Sequence, residues 1–173
     1  MKKSKKSNFI VPIVLVAIII VIIFYLIANA DQPYVTCKMN KTDNLKIGIK
    51  EDINVKLSSR KIVELNIKKE YTYPDNLNKE SNVDELKSVL ENSLEYLGED
   101  QNIYVKDNQV LVNIITKKKK PILLDNVEFN YNDGLAIRVN TNTKSDVTSL
   151  SVGDEYSEGN LLVYLKNRGY SCK

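Results

Sequence analysis

The two cysteines are the residues whose chemistry follows most directly from their spacing. Cys37 and Cys172 are the only cysteines among 173 residues, and they bracket most of the chain. A redox pair takes the form C-x-x-C and a structural zinc needs four ligands, so neither explains two distant cysteines. A lipid-carrying cysteine would directly follow a short apolar stretch, whereas Tyr34-Val35-Thr36 precede Cys37. We predict a structural disulfide, with two free thiols as the alternative.

The absence of histidine from the sequence excludes several classes of catalytic site. Ser-His-Asp and Cys-His nucleophilic sites and histidine-liganded zinc all require that residue. The six glycines form neither a G-x-G-x-x-G motif nor a P-loop. We therefore predict no catalytic residue, no cofactor and no metal, and expect a protein that is not an enzyme.

Three short motifs resemble catalytic or metal sites and have simpler structural explanations. Ser58-Ser59-Arg60-Lys61 has the S-x-x-K spacing of penicillin-recognising enzymes, but it separates two strand-like runs, which favours a hairpin turn. Residues 130–134 suggest a calcium loop, but the spacing is one residue short and no closing glutamate follows, so a turn at Asp133-Gly134 is favoured. The acidic pairs are interpreted as solvated turns at the ends of elements: Glu51-Asp52, Glu99-Asp100 and Asp154-Glu155.

A run of four lysines is the most distinctive charged feature outside the N-terminus: Lys117, Lys118, Lys119 and Lys120. The favoured interpretation is a solvated loop or a cluster of gatekeeper residues beside apolar strands. The alternative is contact with extracytoplasmic polyanions, either lipid head groups or anionic wall polymers. Nucleic acid is not expected as a partner, because the residues after position 30 carry a net charge of only −1 and no aromatic residue interleaves the lysines.

The N-terminal thirty residues carry signals for membrane targeting and for the orientation of the chain across the membrane. Residues 9–28 form an uncharged apolar stretch long enough to cross a bilayer as a helix, and four lysines precede it within residues 1–8. The positive-inside rule keeps these lysines in the cytoplasm, which predicts a single-pass membrane protein with an extracytoplasmic C-terminal domain. Ala28-Asn29-Ala30 also fits a signal-peptidase site, so cleavage and secretion is the alternative to a retained signal-anchor.

The remaining chain shows strand and helix patterns that must position any site. Residues 29–44 are predicted to be a polar linker and residues 45–173 an extracytoplasmic domain. Strands are predicted at 45–50, 53–57, 63–73, 103–105, 110–115, 127–131 and 135–139. Helices are predicted from an Asn82 cap with Glu85 in a capping box to Gly98, and over 157–168 with Gly169 after it. This order predicts an α+β fold: a mostly antiparallel sheet with two helices packed on it.

The layout combines an exported N-terminus, a strand hairpin from Ile53 to Tyr73, a helix opened by Asn82-Val83-Asp84-Glu85, and the ending Gly169-Tyr170-Ser171-Cys172-Lys173. It resembles the YehR-like group of small surface lipoproteins of unknown function from low-GC Gram-positive bacteria. The resemblance implies a location at the cell envelope and an α+β fold, and it implies no particular activity.

Three functions are compatible with these patterns. The favoured hypothesis is a non-enzymatic binding or interaction module at the cell envelope, because a well-patterned fold carries no catalytic constellation. The second is a structural or assembly subunit of an envelope complex, and the third a carboxylate-dependent wall hydrolase. The expected partners are the membrane and an envelope protein or anionic polymer.

Overall fold

A computed structural model describes residues 15–22, 34–97, 101–140 and 149–173. The chain divides into two compact units, Met1–Gln32 and Pro33–Lys173. In the first unit, residues 15–22 form a helix, α1. Among the described residues, no helix combines the length and the apolar character needed to cross a membrane. The rest of the predicted segment, residues 9–14 and 23–28, lies outside the described residues, as do Ala28 and Ala30 of the predicted cleavage site.

The second unit has the predicted α+β fold. Its strands are β1 (Tyr34–Thr42), β2 (Gly48–Ser58), β3 (Lys61–Thr72), β4 (Gln101–Lys106), β5 (Gln109–Thr116), β6 (Pro121–Leu123), β7 (Val127–Asn132), β8 (Gly134–Val139), β9 (Ser149–Ser151) and β10 (Ser171–Cys172). Its helices are α2 (Glu80–Leu97) and α3 (Glu158–Lys166). Six strands form an antiparallel sheet in the order β10-β1-β2-β3-β5-β4, and β6-β9 and β7-β8 form two smaller antiparallel pairs.

The predicted linker over residues 29–44 is wrong, because most of it is strand β1. Val35, Cys37 and Met39 alternate along β1 and are buried in the core. The intervening residues are polar, and cysteine and methionine are weak apolar signals, so the period-two pattern is easy to miss in the sequence. Pairing with β2 along nine residues makes β1 an inner strand of the main sheet.

The two short strands predicted at 45–50 and 53–57 are joined in one continuous strand, β2, which begins only at Gly48. Glu51-Asp52, interpreted from the sequence as a solvated turn, lies in the middle of β2. Successive side chains of a strand point to opposite faces, so Glu51 enters the core while Asp52 lies on the outer face. The turn prediction is wrong because a buried partner on the next strand satisfies the Glu51 carboxylate.

Helix α2 packs against the sheet as predicted but begins earlier than its sequence signal. Val83, Leu86 and Leu90 are buried, at the spacing of one helix face. Asn82 lies inside the helix and donates its side-chain amide to the Leu77 carbonyl at 2.8 Å, so the predicted Asn82 cap is wrong. The Asn82 side chain instead satisfies a carbonyl of the turn that follows Pro74, so it is not available to cap the helix.

The second domain helix, α3, matches its prediction closely. Ser157 is its N-cap and accepts a hydrogen bond from the Asn160 N–H, while Gly169, with φ of +88°, follows its end. Leu161 and Leu165 bury the apolar stripe against the core. Tyr170 then enters the core directly after the helix, where it is 4% exposed.

The Cys37–Cys172 disulfide predicted from the sequence is confirmed. The two cysteines are direct partners in the β1–β10 pairing and lie 135 residues apart in the chain. Lys173 adds a backbone hydrogen bond to the Thr36 carbonyl. The C-terminus is therefore attached to the first strand of the sheet by both covalent and hydrogen bonds.

Candidate functional site

A buried ion pair occupies the centre of the main sheet. Glu51 of β2 and Lys69 of β3 are direct cross-strand partners on the core face, with 3.0 Å between Lys69 Nζ and Glu51 Oε1. Their side chains are 0% and 4% exposed, respectively. Met39 and Val112 are the next residues in the same cross-strand row, so apolar side chains flank the pair on both sides. Charges buried this deeply are costly unless they are paired and hydrogen-bonded.

The segment between β6 and β7 completes the hydrogen bonding of this pair. Lys69 Nζ donates to the Leu123 carbonyl and to Asn126 Oδ1, both at 2.9 Å. The Asp125 N–H donates to Glu51 Oε1 at 2.9 Å. The Leu123 carbonyl, Asn126 Oδ1 and Glu51 Oε1 together accept all three ammonium protons of Lys69. The segment is also held from outside by an ion pair between Lys41 and Asp125.

Tyr170 supplies the remaining contact to the buried carboxylate. Its hydroxyl donates to Glu51 Oε2 at 2.5 Å. Burial and the adjacent Glu51 carboxylate raise the pKa of the Tyr170 hydroxyl, so it stays a donor. The same two causes raise the pKa of Tyr71, which is next on the core face of β3. We call the set Glu51, Lys69, Asp125, Asn126 and Tyr170 the buried polar cluster.

The sequence contained one overlooked signal for this cluster. The core-facing residues of β3 are Ile67, Lys69 and Tyr71, which places a lysine on an otherwise apolar face. A lone charge at such a position predicts a buried partner. The identity of that partner required the register between β2 and β3, which sequence patterns do not specify.

The opposite face of the main sheet carries cross-strand rows of polar side chains. Cross-strand register aligns Lys38, Asp52, Lys68, Asn113 and Asn102 in one row, with 3.3 Å between Lys38 Nζ and Asp52 Oδ2. Within the described ranges Lys68 has no acidic group within 4 Å, and it is exposed. We call this face the outer face.

A cavity of about 230 Å³ opens on the outer face between β2, β3, β5 and β4. The polar side chains that line it are those of Lys50, Asp52, Lys68, Glu70, Asn113 and Tyr104. Tyr104 is 52% exposed at one side, and Lys50 and Glu70 pair at 2.8 Å. The amide oxygen of Asn113 has no hydrogen-bond partner within the described part of the chain. The cavity therefore combines one aromatic ring with charges of both signs and an amide.

The other sequence motifs lie away from this cavity. Ser59 and Arg60 have φ of +50° and +63° and form the tight turn between β2 and β3, which confirms the turn interpretation of the S-x-x-K motif. Asp133, with φ of +50°, turns the β7–β8 hairpin, which confirms the second turn. Tyr71 and Tyr73 pack against Phe129 in the core.

The acidic pairs do not converge on a common cleft in the described structure. Glu51 and Asp52 point to opposite faces of β2. Asp154 accepts a hydrogen bond from the Ser151 N–H at 2.8 Å, and Glu155 pairs with Lys61 at 3.2 Å. Glu99-Asp100 lies outside the described residues.

The lysine run forms the exposed loop between β5 and β6, but its four side chains differ in their contacts. Lys117 pairs with Glu64 at 3.3 Å. The aliphatic part of Lys119 passes close to Gly153, whose φ is +99°. The loop begins with a hydrogen bond from the Lys118 N–H to Thr116 Oγ1 at 2.9 Å. The run is therefore a structured loop and not a uniform basic patch.

Comparison with protein-family models, curated proteins and solved structures finds no match for this chain.

Proposed function

We propose that this protein is a non-enzymatic binding module at the outer side of a cytoplasmic membrane, and that it binds a polar envelope polymer on the outer face of its sheet. The observation that carries the proposal is the cavity in which exposed Tyr104 lies beside Lys68, Asp52 and Asn113. An aromatic ring next to convergent polar groups is typical of surfaces that bind ligands.

The chemistry of the cavity selects the class of ligand. Its acids and bases are nearly balanced, and the Asn113 side chain adds an amide to its lining. A hydroxyl- and amide-rich ligand, such as a wall glycan, satisfies both features better than an apolar molecule would. Tyr104 supplies a ring face for such a ligand.

The cellular location proposed here rests on the N-terminal sequence and on the disulfide. Residues 9–28 would form a single-pass signal-anchor, with residues 1–8 in the cytoplasm and the domain outside. Disulfides persist in oxidising extracytoplasmic compartments, so the Cys37–Cys172 bond supports export. Cleavage after Ala30 would instead release the domain.

A binding experiment tests the function directly. Residues 31–173 are titrated with soluble peptidoglycan fragments and, separately, with poly(glycerol phosphate), while NMR follows backbone amide shifts. We expect the glycan to shift amides of β3, β4 and β5, and Tyr104→Ala to weaken binding at least about tenfold. Tyr131→Ala is the matched control, because Tyr131 is 57% exposed on the separate β7–β8 hairpin.

Different shift patterns separate the alternatives. Shifts confined to residues 117–120 with poly(glycerol phosphate) would favour the lysine loop as a polyanion contact. No shift with either probe would contradict the binding proposal. Equal effects of Tyr104→Ala and Tyr131→Ala would exclude the outer-face cavity.

An assembly subunit is a second candidate because of strand β4. Among the described strands, β4 pairs only with β5, which leaves its other edge open, and Tyr104 and Val105 are exposed there. Open edges can accept a strand from another chain. Self-association of the purified domain in sedimentation, abolished by Val105→Lys, would favour this candidate.

A further inference from the structure

Three side chains of the buried polar cluster have the chemistry of a condensation reaction. Lys69 carries an amine, Asn126 a carboxamide and Glu51 a carboxyl group. Lys69 Nζ lies 2.9 Å from Asn126 Oδ1 and 3.0 Å from Glu51 Oε1. The carbonyl carbon of Asn126, which the amine would attack, is one bond beyond the contacted oxygen.

We propose that Lys69 and Asn126 join in an intramolecular isopeptide bond, with Glu51 transferring the protons. Lys69 first gives a proton to Glu51, which produces a neutral amine and a carboxylic acid. The amine attacks Asn126 Cγ, so that a new C–N bond forms while Glu51 protonates the carbonyl oxygen. The bond from Cγ to Nδ2 then breaks as a proton passes from the attacking nitrogen to the departing nitrogen, which leaves as ammonia. The proton on the carbonyl oxygen returns to Glu51, which ends protonated, and no oxidant or cofactor is consumed.

The surroundings of the three groups favour this reaction. Met39 and Val112 flank the Glu51–Lys69 pair, and both side chains of the pair are almost fully buried. Transfer of one proton within the pair removes two buried charges, and apolar surroundings favour such neutralisation.

The fold holds each reacting group in place. The Asp125 N–H and the Tyr170 hydroxyl fix the two oxygens of Glu51 at 2.9 and 2.5 Å. Asn126 is fixed by the backbone hydrogen bond from the Asn140 N–H to its carbonyl at 2.8 Å, and its Nδ2 lies 3.4 Å from the Asn140 carbonyl. Such positioning converts a slow encounter between an amine and an amide into an intramolecular step.

The product would link two parts of the fold that lie 57 residues apart in sequence. It would attach the segment before β7 to the central strand β3. The disulfide already links β1 to β10. The loop from Lys69 to Asn126 would lie inside the loop closed by the disulfide, and the two bonds together would restrict the unfolded chain.

Mass spectrometry of the full chain tests the proposal. The purified protein is reduced, denatured and digested with trypsin. We expect an intact mass below the sequence mass by one ammonia molecule, and a branched peptide that joins the segment containing Lys69 to the segment containing Asn126. An intact mass equal to that of the sequence, with Lys69 and Asn126 recovered in separate linear peptides, would overturn the proposal.

Variants assign the roles of the individual groups. Lys69→Arg and Asn126→Ala should each restore the full mass expected for the variant sequence, whereas the control Lys68→Arg should keep the ammonia loss. Glu51→Gln, checked for folding by circular dichroism, should lose most of the branched peptide. Complete linkage in Glu51→Gln would overturn the role assigned to Glu51. The mass of the wild-type protein shows whether the isopeptide bond forms, and this result does not depend on whether the variants fold.

Discussion

Lys68 and Lys69 are neighbours in β3, yet their side chains lie on opposite faces of the same sheet. Lys69 is 5% exposed and contacts Glu51, Leu123 and Asn126, whereas Lys68 is exposed on the outer face. The alternation of a strand produces this difference between two identical side chains. Substitutions of Lys68 and Lys69 therefore form a matched pair, one on each face of the sheet.

Lys69→Met should destabilise the domain strongly, because it removes the nitrogen that contacts buried Glu51, the Leu123 carbonyl and Asn126. The expected loss is about 3–5 kcal/mol in the free energy of unfolding, measured by urea denaturation. Lys68→Met should change the free energy of unfolding by less than about 0.5 kcal/mol. The double variant Glu51→Gln/Lys69→Met should recover part of the loss. Equal effects of the two single substitutions would contradict the buried pair.

Tyr170→Phe should cost about 1–3 kcal/mol in unfolding free energy, because Glu51 Oε2 loses its only described donor inside the core. The ring is retained, so the packing changes little. Tyr131→Phe is the control, since Tyr131 is 57% exposed. Thermal unfolding followed by circular dichroism measures both. An unchanged midpoint for Tyr170→Phe would argue against the hydrogen bond.

Removal of the disulfide should lower stability by about 4–5 kcal/mol, because the bond closes a loop of more than a hundred residues in the unfolded chain. The paired substitution Cys37→Ser with Cys172→Ser tests this by chemical denaturation. Reduction of the wild-type protein should give the same midpoint as this variant. Detection of two free thiols in the unreduced protein would contradict the bond.

Stability should fall at alkaline pH. Burial raises the pKa of Tyr71, Tyr73 and Tyr170 above the usual value of 10.0. Above about pH 10 the unfolded chain has lost these protons while the native state keeps them, so unfolding is favoured as pH rises. Each tyrosine can contribute up to about 1.4 kcal/mol per pH unit. Urea denaturation at a series of pH values gives the slope, and Tyr71→Phe should make it shallower.

Much of the fold was predictable from sequence where a pattern was strong and local. The β4–β5 and β7–β8 hairpins, helix α3 with its Ser157 cap, and the antiparallel α+β class all follow from alternation, helix spacing and turn residues. The disulfide followed from the number and separation of the cysteines. These features depend on neighbouring residues or on composition, so they need no knowledge of register.

The failures share a physical cause. In β1, polar residues alternate with Val35, Cys37 and Met39. This segment forms a strand because β2 pairs with it on one side and β10 on the other. Glu51 resembles a turn residue until Lys69 is placed opposite it. In both cases a distant partner outweighs the local preference.

The sequence alone determined the charge asymmetry of the N-terminus, the apolar segment at residues 9–28, the class of fold and the pairing of the two cysteines. The tertiary structure decided that Glu51, Lys69 and Asn126 meet, although they come from three separate parts of the chain. It also decided that Tyr104 and Lys68 share an outer-face cavity. Register between strands places Glu51 opposite Lys69, and a shift of a strand by one residue would send its side chains to the other face of the sheet.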